Sequence, residues 1–376
     1  MKQWGFLILA LFSYSAAPAW GVQFSKIMND HPGNFWGTLY FHQGVLYVSD
    51  TRQNLVFAVE RDTVTSIPVR PVPQGMVAHG DFLFVATTRD NFLTVIDTRL
   101  KRVVKEINIK NVDGMIGPSG LALENQTLYV SDSGAQLILP IDLSFPGLTP
   151  GVPYPTGPKL PDGSNDPYNA YTVNLLAASA GKVFTIALRS MFSSELNIIR
   201  VLEGKSGTTL LEYKPWEQGE GGRYNAIYTH SDGTVFVSAP AIGSVLAVDP
   251  ATLRVARIQT TAHWPIALTS VGKYLVVLDR GPNPQESFDP VANEKYKPAL
   301  EVIDPSRLAS GQAWMGRFDL SEISNGQIIR PSELASSPEG VIYVKSESLV
   351  SKVTGVIDKI TGVIDRRSCF LIESAQ

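Results

Sequence analysis

Short runs of apolar residues, tight turns and strands of alternating β-branched or aromatic residues recur along most of this chain. The seven copies of this two-strand pattern are GTLYFHQGVLYVSD from Gly37, GMVAHGDFLFVAT from Gly75, GLALENQTLYVSD from Gly120, NLLAASAGKVFTIA from Asn174, NAIYTHSDGTVFVSA from Asn225, IALTSVGKYLVVLD from Ile266 and SELASSPEGVIYVKS from Ser332. Gly, Asn, Asp or Ser stands where each copy reverses direction, and these residues favour hairpin turns. The pattern predicts seven β-hairpins.

A third strand that ends in an acidic residue follows each hairpin. The seven acids are Glu60, Asp97, Asp142, Glu203, Asp249, Asp304 and Asp358. An aspartate at the first position of a turn accepts hydrogen bonds from main-chain amides two residues on, so these acids are predicted to be structural. A fourth strand then follows, as in TSIPV, RVVKEINI, RVARIQ and GVIDRRSCFLI.

Four antiparallel strands repeated seven times, with roughly 50 residues per repeat, are typical of a β-propeller. The apolar positions have a period of two and never a sustained period of 3.6, so few helices are expected. An open sheet of so many strands would leave long edges exposed, whereas a ring of short sheets hides most of them. We therefore predict an all-β, seven-bladed β-propeller of four-stranded antiparallel blades around a central channel.

Two intervals interrupt the repeat, and one strand-like segment stands outside it. The intervals at about 144–171 and 280–299 are rich in proline and polar residues and are predicted to be long surface loops. Val22–Met28 precedes the first hairpin and belongs to no repeat. We expect this segment to add to, or replace, the outer strand of the last blade and so to close the ring.

The first residues have the layout of a secretory signal peptide. A positive residue, Lys2, precedes the apolar run from Trp4 to Tyr14, and Ala17 and Ala19 form a small-residue cleavage pattern. Cleavage after Ala19 would leave residues 20–376 as one propeller domain, secreted or periplasmic and expected to be monomeric. The alternative is that residues 1–19 remain as a membrane anchor. No later segment is apolar for long enough to span a bilayer.

The charge and the cysteine content exclude several classes of function. The net charge of −3 gives no general attraction to nucleic acid or to anionic lipid. The one cysteine, Cys369, allows neither an intramolecular disulfide nor a thiolate metal cluster, and no motif for covalent haem attachment is present.

The phrases PSGLAL, LYVSD and VID resemble the Tyr-Val-Thr-Asn and NHL-type repeats and the related gluconolactonase-like and lactonase-like propellers. The resemblance spans all seven repeats. It implies that the first strand of each blade lines the channel. It also implies that the loops entering this strand share one face with the loops joining strands two and three. We call this face the channel mouth.

By the repeat, one position per blade stands just before the inner strand at the mouth. These positions are Gly37, Gln74, Ser119, Asn174, Asn225, Ile266 and Ser332. The resemblance implies that related lactonases hold a divalent cation there through Glu, Asn and Asp. Asn225 and Asn174 match the Asn, but no carboxylate supplies the charge that a hard cation needs. We therefore predict no metal and no cofactor, with a divalent cation at the mouth as the alternative.

Six arginines map to the same face. Those after the second strands are Arg52, Arg89, Arg189 and Arg280, and those on the approach to the inner strands are Arg223 and Arg330. Guanidinium groups bind carboxylate, sulfate or phosphate in a bidentate manner. The alternative is that these arginines pair with acids of neighbouring blades and serve only to hold the blades together.

Aromatic and imidazole side chains complete the predicted site. Trp36, Tyr171, Tyr224 and Trp264 flank the inner strands, and His263 is on the approach to the channel. His42, His79 and His230 fall in turns on the opposite face, where solvated histidines are expected. These residues predict an exported propeller that binds a small anion or an acidic partner segment. The alternatives are a metal-dependent hydrolase or lactonase and, third, a quinoprotein-like oxidoreductase.

Overall fold

The structure is a computed structural model that describes residues 23–28, 37–61, 63–109, 115, 117–132, 136–144, 148–156, 172–188, 197–218, 224–282, 296–324, 328, 330–346 and 349–361. The predicted signal peptide and Cys369 lie outside these residues. None of the helices in these ranges is long and apolar enough to cross a lipid bilayer.

The described strands form seven antiparallel sheets, and each sheet is one blade. The first strands along the chain are β1 (Gln23–Met28), β2 (Leu39–His42), β3 (Val45–Asp50), β4 (Leu55–Glu60), β5 (Thr63–Pro68), β6 (Pro73–His79), β7 (Phe82–Thr87), β8 (Phe92–Asp97), β9 (Arg102–Asn108), β10 (Pro118–Glu124), β11 (Thr127–Asp132), β12 (Leu137–Asp142), β13 (Thr149–Pro150) and β14 (Tyr154–Pro155). They are followed by β15 (Thr172–Ser179), β16 (Lys182–Leu188), β17 (Asn197–Glu203), β18 (Thr209–Tyr213), β19 (Ile227–Thr229), β20 (Val235–Ala239), β21 (Ser244–Val248), β22 (Val255–Gln259), β23 (Pro265–Val271), β24 (Tyr274–Asp279), β25 (Ala299–Ile303), β26 (Trp314–Asp319), β27 (Glu333–Ser336), β28 (Ile342–Lys345) and β29 (Val350–Thr354).

The predicted seven-bladed propeller is confirmed. Blade 1 is β2–β5, blade 2 is β6–β9, blade 3 is β10–β14, blade 4 is β15–β18, blade 5 is β19–β22, blade 6 is β23–β26, and blade 7 combines β27–β29 with β1. Each predicted hairpin supplies the first two strands of one blade. Helices are few and short: the described ones are 3₁₀ helices at Pro215–Gln218, Pro240–Ile242 and Pro305–Ser310, and α-helices α1 (Leu320–Ile323) and α2 (Val356–Thr361).

The hydrophobic core lies between the blades. The second strand of blade 1, β3, is buried along its whole length, whereas the outer strand β5 is mostly exposed. Tyr47 and Val56 of blade 1 pack with Leu83 and Ile96 of blade 2 in one buried cluster. Comparable clusters join the blades of each later neighbouring pair. Because each blade buries its apolar faces against its neighbours, the first and last blades must also meet.

The seam between blades 7 and 1 is closed in three ways. The outer position of blade 7 is filled by β1, which pairs antiparallel with β29, as expected for this segment. Leu39 and Val48 of blade 1 pack with Ala335 and Val350 of blade 7. The buried ammonium group of Lys345 in blade 7 donates a hydrogen bond to the carbonyl of Gly37 at the start of blade 1. Burial lowers the pKa of Lys345.

The predicted strands of the last blade need correction. Its third strand is β29 and not the segment ending at Asp358, which lies in α2. Gly355, with a φ of 78°, ends the strand in a conformation that favours glycine. The predicted fourth strand, GVIDRRSCFLI, lies beyond residue 361 and outside the described residues. β1 occupies the outer position to which that strand had been assigned.

The acids that end the other third strands lie at turns, as predicted. The main-chain amides of Arg99 and Leu100 donate to Asp97 at 2.9 Å each, and Asp249 accepts from Ala251 and Thr252 in the same way. Asp142 and Asp304 make similar bonds to Ser144 and Ser306. The amides that point at Asp142 and Asp249 lower the pKa of both carboxyls.

The first predicted loop interval contains two short strands. Thr149–Pro150 and Tyr154–Pro155 both pair with β12, the first as the outer strand of blade 3. The Tyr154 side chain is buried and packs between blades 3 and 4. The remaining parts of this interval, residues 145–147 and 157–171, and residues 283–295 of the second interval lie outside the described residues.

The closing strand leads to a prediction about stability. A chain that starts at residue 29 loses β1, and this loss exposes the edge of β29 and removes the link between the two ends of the ring. We expect its melting temperature to fall by on the order of 10 °C. The matched control starts at residue 23, which keeps β1 intact. Equal melting temperatures for these two chains, measured by circular dichroism, would contradict a closing role for β1.

Candidate functional site

The channel mouth is fixed by the pairing of the first two strands in each blade. The start of the inner strand lies opposite the end of the second strand, as in Pro73 with Thr87, Pro118 with Asp132 and Pro265 with Asp279. The loops that enter the inner strands therefore share one face with the loops that leave the second strands, as expected.

The inner strands of four blades bulge at the mouth. The register shifts between Pro73 and Met76, Pro118 and Leu121, Val173 and Leu175, and Pro265 and Ala267. The positions expected just before the strands in these blades, Gln74, Ser119, Asn174 and Ile266, therefore lie inside the strands as bulged residues. A bulge leaves main-chain groups outside the ladder and redirects side chains. Asn225 and Ser332 do precede their strands, and Asn225 is exposed.

Serine hydroxyls near the ends of three second strands hold the mouth segments in place. Ser49 accepts a hydrogen bond from the Thr38 amide at 2.8 Å, and Ser131 accepts one from the Gly120 amide at 2.9 Å. The hydroxyl of Ser238 accepts a hydrogen bond from the Ala226 amide in the same way, at 2.9 Å. Sequence reasoning missed this role, although the serine of the VSD and VSA phrases recurs at one position of the repeat.

The aspartates that end the second strands of blades 1, 3 and 6 accept hydrogen bonds from main-chain amides. Asp50 accepts from the amides of Arg52 and Gln53, and Asp132 accepts from the Gly117 amide at 2.6 Å. Asp279 accepts from the amides of His263, Trp264 and Gly281 at 2.9–3.0 Å. Asp132 and Asp279 are fully buried, so their carboxylates stabilise the blades and are not exposed to solvent.

In blade 6, one arginine is surrounded by carboxylates. The guanidinium of Arg317 lies 2.7 Å from Asp279, 3.3 Å from Glu301 and 3.0 Å from Asp319. It also donates to the Lys297 carbonyl at 2.6 Å. This network ties the outer strand β26 to β24 and β25, and through Asp279 to the loop that carries His263. No sequence signal marks it, because its members come from separate strands.

Glu301, like Asp279, is a fully buried acid of this network. Its carboxylate accepts hydrogen bonds from the Thr261 amide at 3.1 Å and from the Trp314 indole at 2.9 Å, in addition to Arg317. The Thr261 hydroxyl also donates to it, at 2.5 Å. Burial raises the pKa of Glu301, and these donors oppose the rise.

His263 and Trp264 stand at the mouth in different environments. The half-buried His263 ring stacks on the Tyr296 ring, with centroids 3.6 Å apart and planes 6° from parallel. Trp264 is buried, and its carbonyl accepts from the Arg280 amide at 3.0 Å. Tyr296 was not among the predicted site residues. Tyr224, expected beside the entrance, is buried between blades 4 and 5.

The structure places four of the six predicted arginines at the mouth. Arg52 and Arg89 are exposed, Arg280 is half-buried, and Arg330 is exposed with a φ of 48°. Arg189, Arg223, Trp36 and Tyr171 lie outside the described residues, and the side chain of Asn174 is not described. Within the described ranges, no acidic side chain lies within ion-pair distance of Arg52 or Arg89.

Other basic residues join blades 1 and 2 through ion pairs. Arg70, between β5 and β6, lies 3.3 Å from Asp90 and 2.6 Å from Glu106. Lys101 of blade 2 lies 2.5 Å from Glu60 of blade 1. None of the residues in these three ion pairs was predicted for the site.

The histidines expected on the opposite face are there, but one is not solvated. His42 ends β2 and His79 ends β6, at the far end from the mouth. His230 is buried against the edge of the Phe236 ring, and its Nδ1 atom lies 3.0 Å from Asp232. No group of three or more His, Cys, Asp or Glu side chains in the described part of the chain could hold a metal ion.

The network around Arg317 leads to a second prediction. Replacing Arg317 by Leu leaves the buried Asp279 and Glu301 without their cation, which should lower the free energy of unfolding by about 3–5 kcal/mol. The loss should shrink as the pH falls, because protonation removes the unpaired charges. The control is Arg307→Leu, which removes an exposed partner of Asp304 and should cost less than about 1 kcal/mol. Equal losses in urea denaturation would contradict this role for Arg317.

Comparison with solved structures finds the same fold in several proteins. Virginiamycin B lyase from Staphylococcus aureus matches with a TM-score of 0.62 and 13% sequence identity, over 89% of this chain and 99% of the lyase. A streptogramin B lyase matches with a TM-score of 0.63 and 10% identity, over 90% of this chain and 99% of that one. Kuenenia stuttgartiensis hydrazine synthase matches with a TM-score of 0.58 and 18% identity, over 85% of this chain and 94% of that chain.

At these identities the likeness shows the fold alone. No protein-family model matches the chain, and no curated protein sequence matches it either. The neighbours therefore support a seven-bladed β-propeller, whereas the Tyr-Val-Thr-Asn, NHL and gluconolactonase-like resemblances remain at the level of the repeat pattern.

Proposed function

We propose that this protein is an exported propeller that binds an anionic small molecule or an acidic partner segment at its channel mouth. One observation carries the proposal. The mouth aspartates Asp50, Asp132 and Asp279 accept hydrogen bonds from the main chain, while Arg52 and Arg89 are exposed with no described acid at ion-pair distance. The carboxylates of these three aspartates are therefore bound within the blades, whereas the guanidinium groups of Arg52 and Arg89 are exposed to solvent.

The framework keeps these cations in position. Arg52 follows the Asp50 turn, in which the Asp50 carboxylate accepts hydrogen bonds from the amides of Arg52 and Gln53 at 2.9 Å each. Arg89 precedes Asp90, which accepts from Thr87 and is paired with Arg70. Because both turns are held by such bonds, an anion bound there need not order the main chain, and this lowers the entropic cost of binding.

Further groups at the mouth suit an organic anion. The stacked rings of His263 and Tyr296 offer a flat surface, and the exposed Asn225 can donate a side-chain amide. Arg280 and Arg330 lie at the same end of the blades. Charged and aromatic groups at the rim of a propeller channel fit a carboxylate- or phosphate-bearing ligand.

A metal-dependent hydrolase or lactonase is the alternative for the same face. A hard cation requires several carboxylate oxygens directed at one point. The described mouth aspartates direct theirs at main-chain amides of their own blades, and this arrangement supports the binding protein over the hydrolase.

The first test of the proposal compares arginines of one face. Arg52→Ala and Arg89→Ala should each weaken binding of a hexaglutamate peptide about fivefold or more, because each removes a charge-assisted contact. The effect should vanish in about 1 M salt, where the Debye length falls to about 3 Å. Isothermal titration calorimetry measures the affinity, and thermal melting should show unchanged stability.

Arg70→Ala is the matched control, since Arg70 also lies at this end of the blades but is paired with Asp90 and Glu106. This change should lower the stability slightly and leave peptide affinity alone. If Arg52→Ala and Arg89→Ala lower the melting temperature without changing affinity for the peptide, the arginines hold blades together and the proposal is wrong.

The second test separates the proposal from the hydrolase alternative. The purified protein, dialysed without chelator, should contain no stoichiometric calcium, manganese or zinc by elemental analysis, because no described carboxylate set binds a hard cation. One equivalent of any of these metals, lost on mutation of a mouth residue such as Asn225→Ala, would favour the hydrolase.

A further inference from the structure

Four of the exposed large apolar side chains lie in two neighbouring blades. Among the described residues the exposed large apolar side chains are Val64, Phe82, Leu100, Val104, Val152, Leu210 and Trp314. The first four belong to the neighbouring blades 1 and 2. Leu100 is the most exposed of these four, at 56%. Single exposed apolar residues are ordinary, but a local concentration of them marks an interaction surface.

These four residues lie at the end of the blades opposite the mouth. Phe82 begins β7 directly after a hairpin, and Leu100 is in the turn between β8 and β9. Val64 and Val104 lie near the starts of the outer strands β5 and β9, which follow turns at this same end.

Ion pairs hold these turns together. Arg99, next to Leu100, lies 3.3 Å from Asp81, which precedes Phe82. Lys101, on the other side of Leu100, lies 2.5 Å from Glu60, which ends β4 just before the turn into β5. We call the surface formed by Val64, Phe82, Leu100, Val104 and the adjoining cations the lower edge of blades 1 and 2.

Cations without acidic partners surround the apolar residues of this edge. Arg61, Arg102 and Lys105 are exposed, and no acid in the described ranges is within ion-pair distance of any of them. The turn itself reads Arg-Leu-Lys-Arg at 99–102, so its most exposed apolar side chain is flanked by positive charge on both sides. Because Arg99 and Lys101 are paired with Asp81 and Glu60, the positive charge without a described acidic partner at this edge is that of Arg61, Arg102 and Lys105.

We propose that the lower edge of blades 1 and 2 docks on the surface of an anionic lipid bilayer. Apolar side chains at turns enter the boundary between headgroups and acyl chains, while flanking lysines and arginines bind anionic headgroups. Leu100 supplies the apolar tip, and Arg61, Arg102 and Lys105 supply the charge. The interaction requires no membrane-spanning segment.

The position of these residues favours a bilayer over an acidic peptide. Leu100 lies in a turn, Phe82 directly follows one, and Val64 and Val104 lie on the outermost strands of two blades, whereas a peptide would need pockets for its side chains. A broad lipid surface can contact all of these points at once. Docking at this end would leave the channel mouth directed away from the bilayer, so the inference does not depend on the proposed function.

Blade 5 provides an internal control for the turn. The turn after Asp97 in blade 2 and the turn after Asp249 in blade 5 both place an exposed arginine five positions beyond the aspartate, Arg102 and Arg254. The residue that corresponds to Leu100 is the exposed Thr252. Matched substitutions can therefore be made in two turns of like geometry that differ in their apolar surroundings.

The experiment measures sedimentation of the purified protein with vesicles of phosphatidylcholine, with and without phosphatidylglycerol. We expect the protein to bind the anionic vesicles much more strongly than the neutral ones. Binding to the neutral vesicles measures any contribution of the apolar segment at residues 4–14, which needs no anionic lipid. Arg102→Glu with Lys105→Glu should weaken binding at least about twentyfold, since each lost cation alone is equivalent to about fivefold. Leu100→Asp should weaken it about fivefold or more, whereas Arg254→Glu and Thr252→Asp should leave it unchanged.

Thermal melting verifies that each variant is folded. If the Leu100→Asp variant does not fold, Leu100→Ser provides a milder substitution at the same position. Equal binding to neutral and anionic vesicles would overturn the proposal, as would equal losses in the blade 2 and blade 5 variants. The proposal would also be overturned if the blade 2 variants lost affinity for hexaglutamate peptide but bound vesicles as before. That result would assign the edge to a protein partner.

Discussion

The packing of each blade against its two neighbours is the interaction on which the rest of this structure depends. The buried clusters join residues of adjacent blades, so a single sheet cannot cover its own apolar faces. The ring must therefore close between its first and last members. Closure combines the apolar contacts of that seam, the antiparallel pairing of β1 with β29, and the buried hydrogen bond from Lys345 to the Gly37 carbonyl. A local repeat thereby becomes one cooperative structure.

Close packing around the channel also explains why polar side chains at the mouth form hydrogen bonds with main-chain groups. Where inner strands bulge, their amides and carbonyls leave the ladder and need other partners. In blade 3, Ser131 supplies such an acceptor to the Gly120 amide, and Thr38 donates to the carbonyl of the bulged residue Gln74 across the boundary between blades 1 and 2. The aspartates complete this set. Charge left over at the mouth is then basic, and this asymmetry follows from the demands of the fold.

The sequence predicted the parts of this architecture that depend on local pattern. Hairpins, turn aspartates such as Asp97 and the seven-fold repeat all follow from residues close together along the chain. The bulges at Gln74 and Asn174 could not be predicted, because they show only in the register of two strands. The Arg317 network joins residues 16 and 38 positions apart, and no periodicity marks it. In the last blade, the Val-Ile-Asp phrase that ends at Asp358 resembled the end of a third strand, but it lies in α2, and β29 is the third strand.

Net charge proved a poor guide to the surfaces of this protein, for a structural reason. Several of its acids are buried or bound in turns, as Asp279, Glu301 and Asp249 are, because carboxylates are good acceptors for main-chain amides and for Arg317. Arginines and lysines cannot accept hydrogen bonds from amides, and Arg52, Arg89 and Arg102, which have no described carboxylate partner, lie exposed at the surface. A chain with a net charge of −3 therefore presents exposed basic residues at both ends of its blades, Arg52 and Arg89 at one and Arg102 at the other. In a propeller whose acids are bound in its turns and core, the exposed cations indicate the proposed binding surfaces better than the total charge does.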